Sequence, residues 1–242
     1  MKISITGSTG MIGEALVASL SGAGHEVKRI LRKETMEPSL LAGQDAVINL
    51  AGANLAEGRW TVARRRELVS SRIDTTTQLA TTLVTAKDGP KVVISASAVG
   101  FYGVQPGDRL LDESSPQGSG FLAEICKAWE AALAPAASVG VRVVNLRFGP
   151  VLSPTGGALA KMLPVFRMGL GGRFGDGEQV MSWVAIDDVL GAIEFLLSRG
   201  DMAGAFNVVS PEAVSNREFT AVLGHVLHKP AFMYVPGFSL KP

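Results

Sequence analysis

The chain is short of the residues that staple or metallate small proteins. It has one cysteine, Cys126, and three histidines among 242 residues, so it forms no internal disulfide and shows no Cys/His set at zinc-ligand spacing. No metal is expected. Charge of one sign is missing too. Its 23 Lys+Arg face 22 Asp+Glu, a formal net charge of +1, far from the basic excess of a dedicated nucleic-acid binder. No stretch approaches the roughly 20 apolar residues of a membrane span. Met1-Lys2 leads directly into Ile3-Ser4-Ile5-Thr6 with no basic or apolar leader, which predicts a cytoplasmic protein, or one of an organelle stroma or matrix if a transit peptide has been removed. The expected partner is a small molecule, with no nucleic acid and no membrane span; the oligomeric state stays open.

What is present is a large apolar fraction, 47% against 19% charged, ample for the core of one large or two small domains. Short β-branched runs read as strands: Ile3 to Thr6, Val27 to Leu31, Ala46 to Leu50, Val92 to Ser97 and Val141 to Leu146. Amphipathic stretches between them read as helices at Met11 to Ser21, Thr61 to Lys87 and Gly118 to Ala136. This βαβ(α)βαβαβ order predicts an α/β fold, a Rossmann-type doubly wound parallel sheet covered on both faces. After Leu146 the texture becomes Gly- and Pro-rich, with helices near Asp187 to Leu197 and Asn216 to Leu227. The expected division is a dinucleotide domain over 1–150, with parts of 178–210 packing back on it, and a smaller substrate lobe over 151–242. Arg64-Arg65-Arg66, with Glu67 behind it, reads as a solvated helix face.

Gly7-Ser8-Thr9-Gly10-Met11-Ile12-Gly13 follows the first strand and opens the first helix. In that context Gly7 serves a tight turn, Gly10 lets the backbone approach a pyrophosphate and Gly13 lets helix pack on strand. Thr9, Met11 and Ile12 belong to the same anion-binding turn and helix start. A carboxylate after the second strand would bind the ribose hydroxyls of NAD, and a cation there the extra phosphate of NADP. Arg29, Arg32 and Lys33 stand there, and a guanidinium fork suits a phosphate. NADP(H) is therefore favoured over NAD(H), with Glu34 keeping NAD(H) open and plain solvation of these charges the alternative.

Thr6-Gly7-x-x-Gly10-x-x-Gly13, Asn49-Leu50-Ala51-Gly52, Ser95-Ala96-Ser97 and Tyr102-Gly103 together resemble the extended short-chain dehydrogenase/reductases. Gly52-Ala53-Asn54 with Gly58-Arg59-Trp60, Gly120-Phe121-Leu122-Ala123 with Trp129-Glu130, and Gly169-Leu170-Gly171-Gly172 with Ser182-Trp183-Val184-Ala185-Ile186-Asp187-Asp188 look like its atypical epimerase-like branch. Members of that branch are often labelled nucleoside-diphosphate-sugar epimerase or cell-division-inhibitor-like. The resemblance implies NADP and a substrate pocket between the nucleotide domain and the C-terminal lobe. It lays Asn49, Ala51 and Gly52 along the cofactor. Ser97, or else Ser95, matches the serine that steadies a substrate oxygen; Arg147 to Pro150 follow the strand beside the nicotinamide, and Asp187 braces the lobe. Members of the branch run several tens of residues past a segment like Val235-Pro236, so a chain stopping at Pro242 is expected to be a truncated or short form.

The superfamily's usual Tyr-x-x-x-Lys pair, in which lysine lowers the phenol pKa and holds the ribose, is missing. With the register anchored on Glu130, Leu122 and Cys126 stand in those places; sliding by one gives Phe121 and Ile125, or Ala123 and Lys127. Only two tyrosines exist, so Tyr102 is the one phenol available near the cofactor, as a catalytic acid or as a pocket wall. Lys127 reads as a ribose contact or a solvated residue. Cys126 reads as a small buried hydrophobe, Asp112-Glu113 as solvated charge, Glu130 as a helix-face partner of a cation, and His25, His225 and His228 as packing or surface residues. Three readings follow. The first is an NADP(H)-dependent oxidoreductase or epimerase of a small polar, in one variant nucleotide-linked, substrate using Ser97 and Tyr102. The second is a dinucleotide-binding sensor or assembly protein with little or no catalysis; the third, a bare scaffold.

Overall fold

A computed structural model describes residues 1–235 except Lys33 and Asp108. Six parallel strands form the central sheet in the order β10-β5-β4-β3-β1-β2. They are β1 (Lys2–Thr6), β2 (Glu26–Ile30), β3 (Ala46–Asn49), β4 (Val92–Ala98), β5 (Arg142–Phe148) and β10 (Gly204–Val208). Continuous apolar runs make the central strands buried on both faces, and alternation divides their side chains between two cores. Ile48, Ile94 and Val144 face one core with Leu16 and Leu20 of α1 (Met11–Gly22) and Val189 and Ile193 of α7 (Ile186–Ser198). Val47 and Val93 face the other, with Leu41 of α2 (Pro38–Leu41), Leu79 and Leu83 of α3 (Val62–Thr85) and Ala136 of α5 (Ala134–Ser138). Each fully buried aliphatic side chain contributes about 2 kcal/mol of transfer free energy.

Local chemistry explains where the helices stop. α1 buries Gly13, Leu16 and Leu20, a single stripe at helical spacing, and ends before Gly24 at φ +83°. The helix expected over Gly118 to Ala136 is divided into α4 (Phe121–Ala131) and α5. Gly120 at φ +101° delays the start, and Pro135 has no N–H to continue the ladder. β5 extends past Leu146 to Phe148, which makes Arg147 a strand residue, 5% exposed.

The chain then leaves the sheet and comes back. α6 (Gly157–Arg167), β7 (Gly172–Phe174), β8 (Val180–Met181), β11 (Val214–Ser215), α8 (Asn216–Val226) and β12 (Met233–Val235) form the outer lobe. β7 pairs with β12 and β8 with β11, while β6 (Val151–Leu152) pairs with β9 (Val184–Ala185). α8 starts on a reciprocal cap, Ser215 with Glu218. α7 and β10 return to the sheet, where Ser19 of α1 donates a hydrogen bond to Glu194 of α7. No helix among the described residues is long and apolar enough to cross a membrane.

Candidate active site

The strand order reverses between β1 and β3, and a cleft of about 470 Å³ opens there at the carboxyl ends of the strands. Its wall includes Gly7, Thr9, Gly10, Arg32, Ala51 and Gly52, together with Ser8, Met36, Ser70, Ser71, Thr75 and Gln78. Sterics dictate two of the glycines. Gly7 sits at φ +67°, and a Cβ there would lie 2.5 Å from Leu50 O; at Gly13 it would lie 2.2 Å from Gly7 O. Gly10 N–H donates to Gly7 O at 3.1 Å, and no side chain caps α1, which leaves its first-turn amides for a ligand. Met11 and Ile12 open that helix outside the wall; Met11 instead approaches Gly156 and Gly157 at the start of α6.

The cleft carries unmet polar capacity. Ser8 is 1% exposed and its Oγ has no hydrogen-bond partner, which calls for a ligand atom at the turn. Arg29 is committed to bracing that turn, donating from Nη1 to Ser8 O at 3.1 Å. Arg32 stands exposed on the wall. Glu34 also lines it, but its carboxylate accepts the Leu31 N–H. Lys33 lies outside the described residues, as do Pro236 and Pro242. A bare glycine cradle, an orphaned hydroxyl and an exposed guanidinium after β2 fit a dinucleotide with a phosphate on its adenosine ribose.

Asn49 lies beneath this wall and is 0% exposed. Its Oδ1 accepts from Thr6 Oγ1 at 2.7 Å, and its Nδ2 donates to Thr76 Oγ1 at 2.9 Å and Ser95 Oγ at 3.1 Å. Trp129 Nε1 donates to the same Thr76 oxygen at 3.0 Å. The amide therefore ties β1, β3, β4 and α3 together.

A second polar group closes the ends of β4, β5 and β10. Ser97 Oγ donates to Glu130 Oε1 at 2.6 Å, and Arg147 grips the same carboxylate with Nε and Nη2, both at 2.9 Å. Arg147 Nη1 donates to Tyr102 Oη at 2.9 Å, and Tyr102 donates to Asn207 Oδ1 at 2.7 Å. The guanidinium also stacks on Phe101, 3.6 Å from Cζ to ring centre. Burial opposes the charge on Arg147, but its hydrogen bonds to Glu130 and Tyr102 outweigh that and raise its pKa. Ser97 is 3% exposed and Tyr102 also 3%. Both hydroxyl protons are already given to protein acceptors, and Arg147 is turned to Glu130 rather than to the cleft wall.

α4 presents no proton relay in the anchored register. Leu122 is aliphatic, and Cys126 is buried with its thiol pushed up to about 11, mainly by burial and then by the Glu130 charge. Lys127 is exposed, which matches its solvated reading. Glu130 is the partner of a cation, Arg147. Asp112 and Glu113 are exposed, as solvated charge would be, and each also has a protein partner. Asp112 accepts from Ser114 and Ser115, whose hydroxyls lower its pKa, and Glu113 accepts the Asn207 N–H at 2.7 Å. In the basic run Arg65 and Arg66 are exposed, as on a solvated helix face, while Arg64 holds Glu67 at 2.6 Å and the Asn54 carbonyl, and Arg65 lies over Phe121.

The NAD dependent epimerase/dehydratase family model matches residues 3–209. The chain belongs to this family. Epimerase family protein Mb2239 of Mycobacterium bovis is 40% identical, over 99% of this chain and 83% of its own length. Human epimerase family protein SDR39U1 is 36% identical, over 98% of this chain and 84% of its own. The crystal structure of human SDR39U1 isoform 2 with NADPH superposes with a TM-score of 0.91 at 34% identity, covering 98% of this chain and 83% of that one. UDP-glucuronic acid 4-epimerase of Bacillus cereus, solved with UDP-glucuronic acid and NAD, shares the fold at a TM-score of 0.82 and 20% identity.

Sequence reasoning assigned no role to Ser8 or Arg72, and it read Glu130 as a cation's partner without naming Arg147. A signal existed for each charge. Arg147 alternates into a strand flanked by Leu146 and Phe148, and a buried strand arginine requires a carboxylate. Arg72 falls on the stripe of Leu68, Thr76 and Leu79, the buried side of α3.

Proposed function

We propose that the chain is an NADP(H)-dependent oxidoreductase of a small polar substrate. The observation that carries this reading is the cleft at the switch point, with the orphaned Ser8 hydroxyl inside it and Arg32 free on its wall. The NADPH complex of human SDR39U1 supports it. Bound there, the dinucleotide supplies a hydride at the nicotinamide ring. Gly7 and Gly10 would admit the diphosphate, with Gly13 letting the helix pack against the turn; Arg32 would fork the ribose phosphate, and Ala51 and Gly52 would form the facing wall.

The chain's own side chains limit the chemistry. Epimerisation at a carbinol needs a base that takes a hydroxyl proton and then returns it. Ser97 and Tyr102 already donate to Glu130 and Asn207, Leu122 has no proton to move, and the Cys126 thiol stays protonated. One-way hydride transfer to a substrate that draws its proton from solvent suits this set better than epimerisation. The same closed network favours a second reading, an NADP(H)-binding sensor or assembly protein without turnover.

Titration of wild type and Arg32→Ala with NADPH and NADH tests the cofactor. NADPH is expected to bind more tightly, and to lose about tenfold or more in the variant as a charge-assisted phosphate contact disappears, with NADH unmoved. Incubation with NADPH deuterated at the transferable position and a panel of carbonyl, enone and quinone acceptors separates the readings. Deuterium in a product supports the oxidoreductase, whereas tight binding without transfer supports the sensor. If neither nucleotide binds, both are wrong.

A further inference from the structure

The dipeptide Asp-Gly occurs twice in the chain, at Asp88-Gly89 and at Asp176-Gly177. Glycine has no Cβ to shield its amide nitrogen, so at such a pair the main-chain nitrogen can reach the carboxyl carbon of the preceding side chain. Attack there forms a bond from Gly N to Asp Cγ, expels one water and closes a five-membered succinimide. Water then reopens the ring at either carbonyl and leaves aspartate or isoaspartate. The sequence is an isomerisation that consumes no oxidant, reductant or cofactor.

The fold treats the two pairs unequally. Both aspartates are exposed, so access to water does not separate them; hydrogen bonding does. Asp176 Oδ1 accepts the Glu178 N–H at 3.1 Å and Gln179 Nε2 at 2.9 Å. Gly177 is buried, and its N–H, the nucleophile, donates to Phe174 O at 3.0 Å. Arg217 fixes the carbonyls on either side, through its N–H on Gly177 O and its Nη2 on Asp176 O, both at 2.9 Å. Ring closure at Asp176 therefore has to break bonds at both reacting groups. Asp88 stands in the turn between α3 and β4 at φ +52°, one of two non-glycine residues with positive φ among those described, and its Cβ disfavours that conformation. Among the described residues nothing donates to its carboxylate, and the Gly89 N–H has no acceptor. The one bond that holds the pair is the Gly43 N–H on Asp88 O at 2.9 Å.

We propose that Asp88-Gly89 is a self-modification site of the folded protein, which passes through the succinimide to isoaspartate, while the fold protects Asp176-Gly177. The product changes the turn chemically. In isoaspartate the main chain runs through Cβ and Cγ, one atom longer, and the former main-chain carbonyl of Asp88 becomes a free carboxylate. That carbonyl is the acceptor of Gly43, so the tie between the turn before β3 and the turn before β4 is remade with the modification.

The test ages the folded protein in heavy-oxygen water at neutral pH and body temperature, with a second sample unfolded in urea. Peptide mapping by electron-transfer mass spectrometry, which distinguishes isoaspartate from aspartate, then follows oxygen uptake and isomer content at both pairs. In the folded sample Asp88 is expected to isomerise at least about tenfold faster than Asp176, whose closure must give up several hydrogen bonds, and in urea the two rates should agree within about threefold. Equal rates in the folded sample would overturn the inference, as would an Asp88 rate more than about tenfold below its own rate in urea, since the fold would then protect that pair too. Asp88→Glu keeps the charge and removes the five-membered ring. Hydrogen exchange at the Gly43 amide should therefore quicken with age in wild type and not in Asp88→Glu. Equal change in both would show that the turn ages by another route.

Discussion

At the ends of β1 and β2 the chain leaves hydrogen-bonding capacity unspent: Ser8 Oγ is buried and unpartnered, the first turn of α1 has no side-chain cap, and Arg32 points outward. At the ends of β4, β5 and β10 the polar heads are spent on one another, from Ser97 through Glu130, Arg147 and Tyr102 to Asn207. Both regions lie on the carboxyl edge of one parallel sheet, and both contain residue types that sequence reading associates with chemistry. The difference lies in what remains to be satisfied. Unmet donors and acceptors mark the place where a ligand belongs, whereas a closed network of equally polar side chains holds strands and helices in register.

Breaking the closed network is expected to have the largest effect on stability. Glu130→Ala strands the Arg147 guanidinium, whose side chain is 6% exposed against 13% for Glu130, and should cost about 4 kcal/mol by urea unfolding. A loss below about 1 kcal/mol, the range of surface pairs, would show that the pair is not buried in solution. In the open region, Gly13→Ala forces a methyl onto Gly7 O and the Ser8 backbone. It should cost about 3 kcal/mol and abolish NADPH binding; retained binding would mean that the turn has another conformation.

Cys126 sharpens the contrast through pH. Its folded pKa is raised from an ordinary value near 9 to about 11, so the native state holds a proton that the unfolded chain releases. The stability it gives is complete below about pH 9, and about 2 to 3 kcal/mol is lost as pH rises to about 11. Wild type should therefore lose more stability than Cys126→Ala across that window, and parallel pH profiles would refute the buried thiol. The smallest effect is expected for Tyr102→Phe, which removes one hydroxyl between Arg147 and Asn207. It should lower stability by about 1 to 2 kcal/mol and leave NADPH affinity unchanged. A fall in NADPH affinity would move Tyr102 from the closed region to the open one.

Local chemistry made much of this legible beforehand. Gly7 and Gly13 were readable because a strand, a tight turn and a helix start in succession leave no room for Cβ atoms, whatever surrounds them. The parallel sheet followed from the alternation of short β-branched runs with longer amphipathic stretches, since parallel strands need crossover helices that cover both faces. Pro135 could have been read as a helix boundary, and the division of α4 from α5 shows that a chain-borne rule was underused. Tyr102, Ser97 and Arg147 were a different matter. Their residue types suit catalysis and cofactor binding, but what each donates to depends on partners at Asn207 and Glu130, distant in sequence.

The sequence by itself determined the dinucleotide turn, the layered α/β order and the loss of the tyrosine and lysine pair, because each is set by residue type and short-range spacing. Only the tertiary structure decided that Ser97 and Tyr102 are already engaged, that Asn49 is buried and tied to Thr6, Thr76 and Ser95, and that Arg72 is buried with no carboxylate within ion-pair distance among the described residues. The physical reason is that steric and conformational demands act between near neighbours along the chain. Hydrogen-bond saturation and charge compensation are instead properties of groups brought together by folding.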